Sequence, residues 1–88
     1  MGAARLLVDV EVLEFLRTRG KREQEELLKR FREIAAAPAN HSDYPEEDAS
    51  GRRVEVHVFR KFAIKYWDDF ADRQVKILDI HPADRRAK

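Results

Sequence analysis

The 88 residues make one small domain (1–88), and a hydrophobic fraction of 43% is enough for a core and argues against disorder. Charged residues reach 40%, yet 18 Lys and Arg nearly cancel 17 Asp and Glu, so a net charge of +1 does not announce a nucleic-acid binder and any basic surface must come from segregating the charges. The absence of cysteine excludes disulfides and thiolate metal sites, and no apolar run approaches a membrane span or a signal peptide, so the expected compartment is the cytoplasm and no membrane partner is expected.

Taken in order, Leu6-Leu7-Val8 is a short apolar run and reads as a first strand. Asp9 suits a helix N-cap, because its carboxylate can accept a backbone N–H of the first turn. Val12, Leu13, Phe15 and Leu16 then give a short amphipathic helix, interrupted by Gly20 as a C′ residue or a kink. A second helix is predicted from about Lys21 to Ala36. Leu27, Leu28, Phe31, Ile34 and Ala35 form its apolar stripe. Its early glutamates and late basic residues match the helix dipole, and Glu25–Lys29 and Glu26–Arg30 are i, i+4 pairs. Pro38 stops it. Ala39 to Ser50 has no periodicity and reads as a loop, long for so small a domain.

Gly51 to His81 is rich in β-branched and aromatic residues, and it alternates. Val54, Val56 and Val58 share one face of a strand, with Arg53, Glu55, His57 and Phe59 on the other. Phe62, Ile64 and Tyr66 are expected to continue the apolar face in a second strand, opposite Ala63, Lys65 and Trp67. In a third, Lys76, Leu78 and Ile80 alternate with Val75, Ile77, Asp79 and His81. The turn at Arg60-Lys61 lacks the Gly or Asn of a tight hairpin and is expected to be longer or bulged. Asp68 to Gln74 reads as a polar loop. Pro82 onward is a short basic tail.

Strand, two helices and three strands predict a two-layer α+β domain. The N-terminal strand and helical hairpin pack on an antiparallel β-meander. The helical stripe would cover the Val54/Val56/Val58 and Phe62/Ile64/Tyr66 face. The other face would stay open and carry Arg53, Glu55, His57, Lys65, Asp79 and His81. No phosphate loop, zinc-protease helix motif, nucleophile elbow or metal-ligand spacing is present. His41, His57 and His81 are too scattered for a local metal motif, so no metal and no cofactor is expected. Trp67 reads as a rim packing residue, or as an aromatic beside basic residues that could stack on a base.

This order, with the helical hairpin ending near Pro38 and followed by SGRRVEVHVFRKFAIKYW and VKILDIHPADR, resembles the RelE/ParE superfamily of bacterial toxin–antitoxin toxins over nearly the whole chain. Gly51 and Arg53 match a Gly-x-Arg at the start of the family's meander. Phe62 to Tyr66 match its Tyr-Arg-x-x-Tyr-like strand. His81 and the Arg85-Arg86 pair match the end of its last strand and the basic residues beyond it. Glu55 and Ala63 stand where the family has arginines. The resemblance implies a toxin held by a cognate antitoxin. It would inhibit translation by metal-independent mRNA cleavage at the ribosome, activating the RNA 2′-OH against the adjacent phosphate. The alternatives are a toxin that binds DNA gyrase without chemistry of its own, or a degenerate member that only binds its antitoxin. The implied catalytic candidates are Arg53 on a phosphate, His81 in proton transfer and Arg85 on developing charge. His57, Lys65 and Arg86 are candidates for RNA binding.

Overall fold

The computed structural model describes residues 4–83. The elements are β1 (Arg5–Val8), α1 (Val10–Arg17), α2 (Lys21–Ala36), α3 (Pro38–His41), β2 (Tyr44–Glu47), β3 (Arg53–Phe59), β4 (Phe62–Asp69) and β5 (Gln74–Pro82). They form a five-stranded sheet of order β1-β5-β4-β3-β2. β1 runs parallel to β5, and the other pairs are antiparallel. Helices α1 and α2 cover one side of the sheet, as an α+β domain of this pattern should.

The helical signals are where the chain places them. Asp9 caps α1, its Oδ1 accepting from the Glu11 amide at 2.9 Å. α1 ends instead at Thr18, whose hydroxyl donates to the Phe15 carbonyl. Gly20 is neither C′ residue nor kink. It is the N-cap of α2, in extended backbone at φ −65°. Pro38 ends α2 and also opens α3, since its missing N–H is no loss in a first turn. The expected loop from Ala39 to Ser50 therefore holds part of α3 and the edge strand β2. The irregularity of Tyr-Pro-Glu-Glu hides a strand that pairs through its exposed edge position.

The main correction concerns the faces. Arg60 and Lys61 close a two-residue turn, with Phe59 opposite Phe62 and Arg60 at φ 56°. The expected longer turn would have kept even-numbered residues of both strands together. A two-residue turn instead sets odd positions of β3 opposite even positions of β4. Phe62, Ile64 and Tyr66 face the helices, together with Phe59, His57 and Glu55. Val54, Val56 and Val58 lie on the open side with Ala63, Lys65 and Trp67. In β5 the register shifts opposite Lys65 and Tyr66, leaving Leu78 as the extra residue between Ile77 and Asp79. This bulge puts Val75, Ile77 and Ile80 in one core despite their odd and even numbers.

The core joins Leu27, Phe31 and Ile34 of α2 to Ile64, Tyr66 and Ile77 of the sheet, all essentially fully buried. Phe31→Ala should cost about 3–5 kcal/mol in urea denaturation, the range for emptying a buried Phe site. Val58, 42% exposed on the open side, should tolerate alanine with a loss under about 1 kcal/mol. Comparable losses at the two positions would contradict these face assignments.

Candidate site on the open sheet face

The open face is set by cross-strand pairing. Ala63 stands opposite His81, Lys65 opposite Asp79, and Trp67 opposite Lys76. On the β3 side Val58 faces Ala63 and Val56 faces Lys65, while β2 adds Tyr44 and Glu46 opposite Val56 and Val54. Val54 and Val56 are buried although no helix covers them. Tyr44, Glu46 and Lys65 stand opposite them on this face, and side chains of that length can cover apolar neighbours with their stems. Lys65 Nζ reaches Glu46 at 3.1 Å. Next to Trp67, the Arg52 guanidinium lies 4.2 Å from the indole centroid and Lys76 Nζ lies 5.9 Å from it. At the far end His81 Nδ1 meets Asp79 Oδ2 at 2.9 Å, both half exposed. Such a contact fixes the ring through one nitrogen and leaves Nε2 for chemistry.

The structure divides the sequence-predicted residues between two sides. Lys65 and His81 share the open face with Asp79. Arg53 and His57 do not, because the β3–β4 turn sets their parity with the helix side. Arg53 is exposed at the sheet margin, where its Nε donates to Glu55 Oε2 at 2.9 Å. Glu55 also accepts from the Ser42 hydroxyl at 2.6 Å. Its carboxylate therefore anchors the chain after α3 and leaves no gap on the open face. Ala63 is on the open face, buried beside Val58 and His81. Arg85 and Arg86 lie outside the described residues. Sequence reading passed over Arg52 and Lys76, which only pairing across strands brings to Trp67.

On the helix side His57 sits under α3. Its ring is 5.3 Å from that of His41 and edge-on to it. Nδ1 is 3.2 Å from Asp43 Oδ2, but neither ring nitrogen has a partner in hydrogen-bond geometry. Asp43 holds the β3 edge instead, its amide donating to the Val56 carbonyl and its carboxylate accepting from the Val58 amide. Tyr66 closes the same region by donating to the Pro38 carbonyl. Burial pushes the Tyr66 hydroxyl pKa up, with the charge of Glu55 adding to it. Burial likewise holds His57 below the usual histidine value, against the pull of Asp43 and with the repulsion of Arg30.

A histidine whose folded-state pKa is depressed stabilises the fold fully above its unfolded value of about 6.5, and that contribution is lost as pH falls toward the lower folded value. Stability measured from pH 7.5 down to pH 5 should therefore fall less steeply for His57→Gln than for the parent chain. Parallel curves would show that His57 carries no such linkage.

Among the described residues no group of three or more His, Asp or Glu is placed to hold a metal ion. No described helix is long and apolar enough to cross a membrane. A helical hairpin on one side of this five-stranded sheet, with a polar, aromatic-bearing face on the other, is the RelE type of α+β fold. The chain is similar to a chain of the archaeal RelE–RelB complex from Pyrococcus horikoshii OT3, with a TM-score of 0.79 and 16% sequence identity over 96% of this chain and 99% of that one. No protein-family model and no curated protein sequence matches it.

Proposed function

We propose that the protein is the toxin of a toxin–antitoxin pair and that it cleaves RNA on the open sheet face in association with the ribosome. The observation that carries the toxin reading is the fold itself, shared along nearly its whole length with a chain of a RelE–RelB complex. The cleavage reading rests on the His81–Asp79 pair standing on the same face as Lys65. In this mechanism His81 Nε2 takes the proton of a 2′-OH. The 2′ oxygen attacks the adjacent phosphorus and the bond to the 5′ oxygen breaks, leaving a 2′,3′-cyclic phosphate and a 5′ oxide that takes a proton from water to become the 5′-OH, while the His81 imidazolium returns its proton to solvent. Asp79 orients the ring and stabilises the imidazolium. Lys65 takes the phosphate role that the family resemblance implied for Arg53, with Arg85 on the charge developing at phosphorus and Arg86 on the RNA backbone.

Induced expression should arrest growth and create new 5′ ends on translated messages. His81→Ala should keep RNA binding and lower the cleavage rate by about 10²–10⁴. Arrest that is undiminished in a His81→Ala, Lys65→Ala variant would place the activity elsewhere. A second reading has support in Ala63: among the described residues the strip next to His81 carries Ala63 and Val58 and no cation. That composition suits binding without chemistry, to gyrase as one target or to the antitoxin alone. Arrest without new 5′ ends would select it.

The antitoxin is expected to be the product of an adjacent reading frame. Binding to the folded state alone raises stability by mass action, about 2.7 kcal/mol at a hundredfold excess over Kd. The melting temperature should rise accordingly on titration with that protein. An unchanged melting temperature at saturation would remove this partner.

A further inference from the structure

Beyond the His81 end, we infer that the Arg52–Trp67 pair, flanked by Lys76, is a platform on which single-stranded RNA stacks an unpaired base. The inference rests on the proposed use of the open face by RNA. It adds a second contact point that the cleavage chemistry does not use.

Three observations carry it. The first is the contact: the centre of the Arg52 guanidinium lies 4.2 Å over the Trp67 ring, and the Arg52 side chain is still 38% exposed, so the pair is reachable from solvent. Arginine planes and aromatic rings both accept bases, and such stacking is tolerant of sequence. The second is pre-organisation. Arg52 is fixed by Asp48, with Nε to Oδ2 at 2.9 Å and the terminal nitrogen to the same oxygen at 2.8 Å. Asp48 is itself fixed, its Oδ1 accepting from the Ser50 hydroxyl and from the amides of Ser50 and Arg52. These bonds hold its carboxyl at about 2, so the clamp on Arg52 persists at every pH of interest. Gly51 allows the turn at φ +86°, a conformation that strains other residues. A loop that commits this many bonds to orienting one exposed guanidinium plane presents it to a ligand at little cost in entropy.

The third is placement. Trp67 is two residues beyond Lys65 on the same face of β4, about 7 Å along the strand. His81 stands one strand over, opposite Ala63, so the line His81, Lys65, Trp67 runs along the β4 direction of the open face. Lys76 has no carboxylate within ion-pair distance among the described residues and is free to meet a phosphate beside the base. Stacking at one end and a phosphate contact in the middle would set which bond lies before His81.

Trp67 is the sole tryptophan of the chain, so its fluorescence reports on this point alone. Titration with a short oligouridylate at low salt should change that emission saturably. Trp67→Ala and Arg52→Ala should each weaken binding, read by anisotropy of a labelled oligonucleotide, by about tenfold. Trp67→Phe should restore most of it. Polyphosphate, which offers charge without bases, should bind Trp67→Ala as well as it binds the parent chain. Arg52, on the surface, keeps the test valid if Trp67→Ala fails to fold. Absence of any oligouridylate binding overturns the platform, as do unchanged affinities in both variants, equal loss of polyphosphate binding in Trp67→Ala, or tighter Trp67-dependent binding of an acidic peptide. Cleavage of messages with full activity in both variants sinks the platform and spares the proposed function. Trp67-dependent oligouridylate binding without arrest or cleavage does the reverse.

Discussion

A connection of two residues between β3 and β4 decides what each side of the sheet carries. Side chains on a strand alternate, so the number of residues in the turn fixes which parity of one strand meets which parity of the next. With Phe59 opposite Phe62, the apolar half of β4 is committed to the helices together with the polar half of β3. The cost of that arrangement is visible under α3. Glu55 and His57 are drawn beneath a helix-side surface where an apolar residue would pack without desolvating a charge. Only Phe59, near the hairpin, extends the core toward α2, and the Arg30 guanidinium lies 4.4 Å over its ring.

The segment from Pro38 to Asp43 offsets that cost for Glu55 and Tyr66 and leaves the His57 ring nitrogens without a hydrogen-bond partner. The Ser42 hydroxyl satisfies Glu55, Asp43 sits beside His57, and the Pro38 carbonyl receives the Tyr66 hydroxyl. Each is a polar group matched to one that β3 or β4 brings to the wrong side for simple hydrophobic packing. The connection is long because it must carry these partners across the polar end of the sheet and then return as β2. β2 in turn protects the β3 edge, and its own outer edge is blunted by Pro45 and two glutamates. The turn geometry, the polar helix side and the irregular connection are consequences of one register.

Legibility in the sequence follows the range of the interactions. The Asp9 cap, the extent of α2 and the presence of β1, β3, β4 and β5 depend on neighbours a few residues apart, and their residues announce them. Facing is different, because it depends on turn length, and the Arg-Lys turn lacks the Gly or Asn that signals a tight hairpin. Arg60 adopts positive φ without that signal. The Leu78 bulge is likewise set by pairing with β4 and leaves β5 looking regular. Hence Lys65, Asp79 and His81 were legible as open-face residues while Arg53, Glu55 and His57 were not. Glu55, which reads in sequence as a missing arginine, is a structural anchor on the opposite side. Ala63 is the departure that does fall on the open face. Arg52 and Lys76 carried no local signal, since only β4 brings Trp67 between them.

Apart from Lys76, the charged groups described on the open face are paired locally, and this limits how such a face can recognise anything. Arg52 with Asp48 and Lys65 with Glu46 each present a cation beside its own counter-charge, and the His81 ring is held by the Asp79 carboxylate. At distances beyond the screening length these pairs cancel, so the face has little long-range field to steer a polyanion. Binding driven by neutralising phosphates needs cations that are not already neutralised, and its strength falls steeply with salt. Paired cations offer something else: orientation. An arginine plane or imidazole edge held by a carboxylate need not be ordered on binding, and its remaining hydrogen-bond and stacking surface is already aimed. A face built this way favours ligands whose flat, uncharged surfaces and hydrogen-bonding edges match fixed groups, more than ligands that offer charge alone. The near-neutral composition thus selects for contact over attraction, and it places the discriminating power of the face at its aromatic and imidazole ends.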